Sequence, residues 1–161
     1  MIRLSVGTAI ELGILNKKSD IPPTTAYIMI GEKCINKCSF CSQSIESSTR
    51  KDKLSRVIWP EFSKEEILDA LKAYKGKNIK RICIQSMASE EAHNSVLDFI
   101  NYISGKIDMP ISLSAKLEND EQIKKFFSAG VNKIGIAIDA ANKELYEKIK
   151  GNNYDEKLKI G

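Results

Sequence analysis

Apolar residues along the chain keep two different periods, and the change between them marks out its elements. Tyr27–Ile30 is a short apolar, β-prone run. It follows Ile21-Pro22-Pro23-Thr24-Thr25, where the prolines forbid helix, so a strand entering a domain is predicted. A long polar stretch, Gly31 to Pro60, comes next. After it the helical period sets in. Ser63 and Glu66 have the spacing of a capping box. Ile67, Leu68, Leu71 and Tyr74 then share one helical face, and Gly76 supplies a stop. Arg81–Gln85 is a second β-rich run. Ser89 can cap a helix carrying Val96, Leu97, Ile100 and Ile103 on one face, with Gly105 after it. Pro110 precedes a third strand, Ile111–Ala115. Asn119 and Gln122 form a second candidate capping box, ahead of Ile123, Phe126 and Phe127, and Gly130 ends that helix. Lys133–Ile138 is a fourth strand. Leu145, Tyr146 and Ile149 mark a fourth helix, closed by Gly151.

Four strand–helix units in a row imply an α/β fold with a parallel sheet and helical, right-handed crossovers. Periodicity leaves two forms open, a doubly wound sheet and an arc of a TIM-like barrel. In both, functional groups gather at the carboxyl ends of strands. Those ends are Gly31 onward, Gln85-Ser86, Ser114-Ala115 and Asp139. The long segment after the first strand is of the kind that carries function.

Composition narrows the class. The chain has 161 residues, the size of one domain, with 42% apolar and 29% charged residues, so it is expected to fold as a globule. Its net charge of +4 is a mild excess. The densest basic stretch, Arg50 to Arg56, holds four basic residues and one Asp, without interleaved aromatics; a solvated loop is expected there, and no nucleic-acid partner. No apolar run approaches the roughly 18 residues of a membrane span. Gly7, Glu11 and Gly13 interrupt the opening segment, so no secretion signal is expected and the cytoplasm is the expected compartment. In a reducing compartment, four cysteines point to metal or redox chemistry instead of disulfides.

Three of those cysteines stand together as Cys34-Ile35-Asn36-Lys37-Cys38-Ser39-Phe40-Cys41, a C-x3-C-x2-C array. Thiolates are soft ligands that suit iron–sulfur clusters, zinc or copper(I). Structural zinc wants four ligands, and the sole histidine, His93, lies more than fifty residues away. A [4Fe-4S] cluster usually takes four cysteines; three leave one iron open to a small molecule. The same spacing would also put three small residues on one helical face, but Gly31, Lys33, Asn36, Lys37, Ser39, Ser42 and Gln43 give no apolar stripe beside them. Cys83 sits within the second strand and is expected to be a buried small residue. His93 is expected on a helix surface.

At these cysteines the sequence resembles the radical S-adenosylmethionine (SAM) superfamily, whose hallmark is C-x3-C-x-aromatic-C, with Phe40 in the aromatic position. The resemblance implies a partial TIM barrel in which Cys34, Cys38 and Cys41 ligate three irons of a [4Fe-4S] cluster. SAM would chelate the fourth iron through its amino and carboxylate groups. Electron transfer into the sulfonium would give methionine and a 5′-deoxyadenosyl radical, which abstracts hydrogen from a substrate. An electron donor such as ferredoxin or flavodoxin is implied with it. Within the superfamily the chain looks closest to the biotin synthase-like group, which includes hydrogenase-maturation and lipoyl-forming relatives and so suggests cofactor biosynthesis. Cys41-Ser42-Gln43-Ser44 is similar to the C-x-Q-S stretch of biotin synthase, and Gln85-Ser86 resembles the Q-S of that group. Where the superfamily commonly has Gly-Gly-Glu, this chain has Gln85-Ser86-Met87, so backbone carbonyls and the Gln or Ser side chain would serve the SAM amino group. Asp139 matches an Asp used near the SAM ribose; its other reading is an acid placed at a helix N-terminus. The Asn often found two positions earlier is Ala137 here. Ser114 is a further candidate SAM contact, unless Ser112 and Ser114 only face solvent or a helix.

The resemblance covers roughly Tyr27 to Gly151, within one core domain spanning 1–161 whose first 25 residues form an N-terminal extension. The family's barrel has six strand–helix units; four are expected here, with no fifth strand in Asn152–Gly161. The expected architecture is therefore a (βα)4 arc, incomplete at the C-terminus, without the fifth-strand adenine motif and without a second cysteine cluster. A truncated piece, a half-barrel completed by a partner chain, and a minimal protein are the three explanations. An uncovered parallel edge is sticky, which favours the first two.

Overall fold

The computed structural model describes residues 1–32 and 34–151. The expected Asn152–Gly161 tail lies outside the described residues. The chain opens with β1 (Ile2–Leu4) and α1 (Val6–Glu11), followed by β2 (Thr25–Ile30). A hairpin of two-residue strands, β3 (Lys53–Leu54) and β4 (Val57–Ile58), interrupts what the sequence presents as unbroken loop. Then come α2 (Lys64–Ala73), β5 (Arg81–Ser86), α3 (Glu90–Ile103), β6 (Ile111–Ser114), α4 (Asp120–Ser128), β7 (Val131–Gly135) and α5 (Lys143–Lys150).

The main sheet runs β1-β2-β5-β6-β7. β2, β5, β6 and β7 pair in parallel, each joined to the next by a stretch that contains a helix. This is the expected four-unit α/β arc. The addition is β1, which pairs antiparallel with β2 in the register Ile2↔Ile30, Arg3↔Met29 and Leu4↔Ile28. It closes one edge of the sheet. β7 forms the other edge among the described residues.

The helix ends show why these segments fold locally. The Ser63 hydroxyl accepts the Glu66 N–H at 3.1 Å, and the Glu66 carboxylate accepts the Ser63 N–H at 2.8 Å, a complete capping box. At α3 the Ser89 hydroxyl accepts the Ala92 N–H at 3.1 Å, a single cap with no returning side chain. At α4 only half of the expected box forms. Asn119 accepts the Gln122 N–H, but the Gln122 side chain takes its N–H from Glu118 instead of Asn119.

Alternation in the strands decides which face is core. Ile28, Ile30, Ile82, Ile84 and Leu113 point to one side, where they pack against Ile67, Leu68, Leu71, Val96, Phe99, Ile100 and Ile103 of α2 and α3. At about 1.5–3 kcal/mol per fully buried large apolar side chain, this layer dominates the stability. The opposite face carries the rows Met29–Gln85–Ser114 and Tyr27–Cys83–Ser112, set by register. Cys83 is thus only half-buried, correcting the expectation of a fully buried residue. Ser112 is committed, its hydroxyl donating to the Ile82 carbonyl at 3.1 Å.

β7 stops at Gly135, short of the expected Ile138. Its neighbour β6 ends at Ser114, which pairs with Gly135, and beyond that no ladder partner remains. Ile136 and Ile138 are exposed, and α5 has no buried residue. No helix among the described residues is long and apolar enough to cross a membrane.

Candidate functional site

The cysteine loop begins where β2 must leave the sheet abruptly. Gly31 makes that exit with φ at +118°, a conformation that side-chain-bearing residues rarely adopt. A Cβ there would stand 2.7 Å from Met87 Cβ and 2.9 Å from Ala92 Cβ, so the turn is pressed against the start of α3. The Gly31 N–H donates to the Met1 carbonyl at 3.2 Å, and its carbonyl accepts Arg3 Nη1 at 3.2 Å. Arg3, only 2% exposed, therefore pins the root of the loop.

Backbone hydrogen bonds hold the loop from two further sides. The Ile35 N–H donates to Ala88 past the end of β5, at 3.2 Å. The Lys37 and Ser39 N–H groups donate to the carbonyls of Lys150 and Ile149, at 3.2 and 2.9 Å. The last carbonyls of α5, which have no partner within their own helix, are thus satisfied by the cysteine loop. Gly151 ends α5 in the left-handed conformation, and a Cβ on it would come within 2.7 Å of Lys37 Cβ. On the far side, Gln43 is buried and its amide donates to the carbonyls of Lys51 and Lys53, at 3.2 and 2.6 Å. Ser42 donates to Lys53 as well, at 3.0 Å. The C-S-Q-S stretch therefore ties the loop to its hairpin.

Behind the cysteines lies a small dry cluster of Met29, Trp59, Met87 and Ala92, with Cys34 and Leu54 packed against it. In front opens a cavity of about 620 Å³. Cys34, Cys38 and Cys41 line it, and so do Phe40, Gln85, Ser86, Ser114 and Asp139. Every candidate site residue named from the sequence meets in this one space, at the carboxyl ends of β2, β5 and β6 and the loop after β7. Asp139 lies four residues past β7 instead of ending it. Phe40 is on the rim, 65% exposed. The Ser86 hydroxyl donates to the Met87 carbonyl at 3.0 Å. Ser114 is exposed to the cavity.

Electrostatics single out a residue that sequence reasoning missed. Lys150 forms an ion pair with Asp139, both largely buried at 13% and 17% side-chain exposure. Its ammonium stands 5.8 Å from the Phe40 ring centroid and 6.0 Å from that of Tyr146, within cation–π range. Burial pushes the Cys38 thiol up, Lys150 pulls the other way, and Cys34 and Cys41 add to the rise. No local signal marks Lys150 in the sequence, because only the docking of α5 on the loop brings it in.

The donor set fits an iron–sulfur cluster. Three soft thiols share one cavity whose described lining holds no histidine and no fourth cysteine. Structural zinc takes four ligands, whereas three thiolates hold three irons of a [4Fe-4S] cluster and leave the fourth open to a small molecule. His93 is elsewhere. Contrary to expectation its ring is half-buried, edge-on to Phe126 with centroids 6.2 Å apart, and its Nε2 has no hydrogen-bond partner among the described residues.

Comparison with known proteins agrees with this geometry. The profile of the Radical SAM superfamily matches residues 28–160. Biotin synthase from Prochlorococcus marinus (strain MIT 9301) is 23% identical over 145 residues, which is 88% of this chain and 42% of that protein. Biotin synthase from Schizosaccharomyces pombe is 26% identical over 133 residues, 78% of this chain and 34% of that one. Among solved structures, the crystal structure of HydG, a maturase of the [FeFe]-hydrogenase, superposes with a TM-score of 0.59 at 14% identity, over 78% of this chain and 27% of HydG. That likeness speaks to the fold. The chain spans less than half the length of each of these proteins.

Proposed function

The chain belongs to the radical SAM superfamily, and from that premise we propose that it is the cluster-bearing part of a radical SAM enzyme of the biotin synthase-like group. The observation that carries this reading is the meeting of three cysteines and five candidate cofactor contacts in one cavity. When bound, a [4Fe-4S] cluster with SAM on its open iron supplies reductive cleavage of the sulfonium, giving methionine and a 5′-deoxyadenosyl radical for hydrogen abstraction.

The chain's own residues hold, orient and shield. Cys34, Cys38 and Cys41 ligate three irons. Met29, Trp59, Met87 and Ala92 keep the space behind Cys34 dry. Gln85 and Ser86, at the end of β5, receive the SAM amino group, Asp139 accepts from the ribose hydroxyls, and Ser114 and Phe40 flank the cofactor. Electrons come from a ferredoxin- or flavodoxin-like donor, the setting is cytoplasmic, and the product serves cofactor biosynthesis.

The test is anaerobic reconstitution with iron and sulfide. The wild type and Cys83→Ser should bind four irons per chain and show the broad visible charge-transfer absorption of a cluster. Single Ser replacements at Cys34, Cys38 or Cys41 should lose it. With dithionite and SAM, 5′-deoxyadenosine should be released. Zinc binding without the chromophore would overturn the reading.

A second reading is favoured by the β7 edge, unpaired among the described residues, and by α5, which buries no residue. In it, the chain binds the cluster but turns over only when another chain completes the barrel. Release of 5′-deoxyadenosine by the isolated chain would exclude it; release only from an assembly with a co-purifying partner would support it.

A further inference from the structure

We propose that Lys150, held in the wall of the cysteine-lined cavity, is a positioning residue that raises the reduction potential of the cluster, with Asp139 as its counterweight; this rests on the cluster reading above. Three geometric observations carry it. The ammonium is held in the cavity wall, largely out of water, by the Asp139 carboxylate. It stands within reach of the Phe40 and Tyr146 rings, and Phe40 belongs to the cysteine array itself. The backbone of Ile149 and Lys150 is bonded to the N–H groups of Ser39 and Lys37, on either side of Cys38. The lysine is therefore locked in register with the central cysteine.

Charge then decides what this placement does. The charged side chains lining the cavity are Lys116, Glu118, Asp120, Asp139 and Lys150. Of these, Lys150 is the one whose backbone is bonded beside Cys38 and whose ammonium stands over the Phe40 ring. The ion pair with Asp139, largely out of water, holds the side chain as an ammonium. A cation held beside the cluster favours its reduced, more negative state. The Asp139 carboxylate beside it works in the opposite direction. The two residues move the potential with opposite signs.

The experiment is an anaerobic potentiometric titration of the reconstituted full chain without SAM, followed by the paramagnetic resonance of the reduced cluster. At the wild-type midpoint, Lys150→Met should lower the ratio of reduced to oxidised cluster about tenfold, roughly 59 mV for a one-electron couple. Lys150→Arg should return the ratio to within about twofold of wild type, and Asp139→Asn should raise it. A residue that only braces the loop would reduce cluster content without moving the potential. An unchanged ratio in Lys150→Met, or a shift of the same sign in Asp139→Asn, overturns the proposal. If Lys150→Met takes up no cluster, Lys150→Gln and Asp139→Asn decide by the sign of their shifts, and no shift in either overturns it. A wild type without the iron–sulfur chromophore overturns the underlying reading and this inference together.

Discussion

Replacing Gly31 by Ala should cost more stability than a single added methyl suggests, and it should do so at the root of the cysteine loop. Two separate penalties add. The backbone sits at φ +118°, where a residue with a Cβ is strained by about 1–3 kcal/mol. The new carbon would also lie 2.7 Å from Met87 Cβ, 2.8 Å from Met87 Cγ and 2.9 Å from Ala92 Cβ. Carbon atoms pack at ~3.5–4.0 Å. Met87, just past β5, and Ala92, in the first turn of α3, are both buried, so relief requires moving the helix or the loop. Overpacking of this kind costs about 1–3 kcal/mol. The sum is ~2–6 kcal/mol, against a total of ~5–15 for a typical domain. Urea unfolding of the metal-free chain, with an unchanged m-value, measures it. Gly7→Ala is the matched control. It adds the same methyl inside α1 with nothing within 4 Å, and should gain up to ~1 kcal/mol. If Gly31→Ala loses less than ~1 kcal/mol, or if the two variants behave alike, the argument from the Gly31 turn is wrong.

Two further outcomes follow from other parts of the structure. Gln43→Ala removes two donors to the Lys51 and Lys53 carbonyls, each worth about 0.5–1.5 kcal/mol, so trypsin should cut faster between Arg50 and Arg56 while the global unfolding midpoint shifts little. Burial holds the His93 imidazole below its ordinary value, with Glu118 and Glu90 opposing. Its neutral form is therefore the one the fold accommodates. The stability tied to it is complete above the unfolded value near ~6.5 and is lost as pH falls through that value toward the folded one. His93→Leu should flatten the decline in melting temperature between pH 7 and pH 5; an unchanged slope would show that the buried ring contributes nothing.

Much of the scaffold was legible because it is local. The caps at Ser63 and Ser89, the apolar faces of α2 and α3, and the glycines closing α4 and α5 all act within a few residues. The cysteine array was legible for the same reason, since its spacing and its polar flanks lie in one short stretch. What escaped depends on partners distant in sequence. β1 has three residues and no period of its own; pairing with Ile28–Ile30 makes it a strand. β7 carries β-branched residues as far as Ile138 but stops where its neighbour stops. Asn132 is an extra residue in the β6–β7 register, and its side-chain carbonyl takes the Ile111 N–H at 2.7 Å, which no alternation pattern announces. Lys150 looks like one more surface lysine until α5 lands on the loop. His93 looks like a surface helix residue until Phe126 of the next helix covers it.

The way the cysteine loop is held also sets a timetable for synthesis. Met1 and Arg3, which fasten its root, leave the ribosome before the cysteines do. Ile149 and Lys150, which fasten its middle, emerge roughly 110 residues after Cys41. At about 5–20 residues per second, the three thiols wait on the order of 5–20 s before their last restraint exists. Their vulnerable period is during translation, when oxygen or a stray metal can reach them before α5 closes over the loop. If the three thiols hold the proposed cluster, slow elongation downstream of Cys41 should cost more cluster content than slow elongation upstream of it.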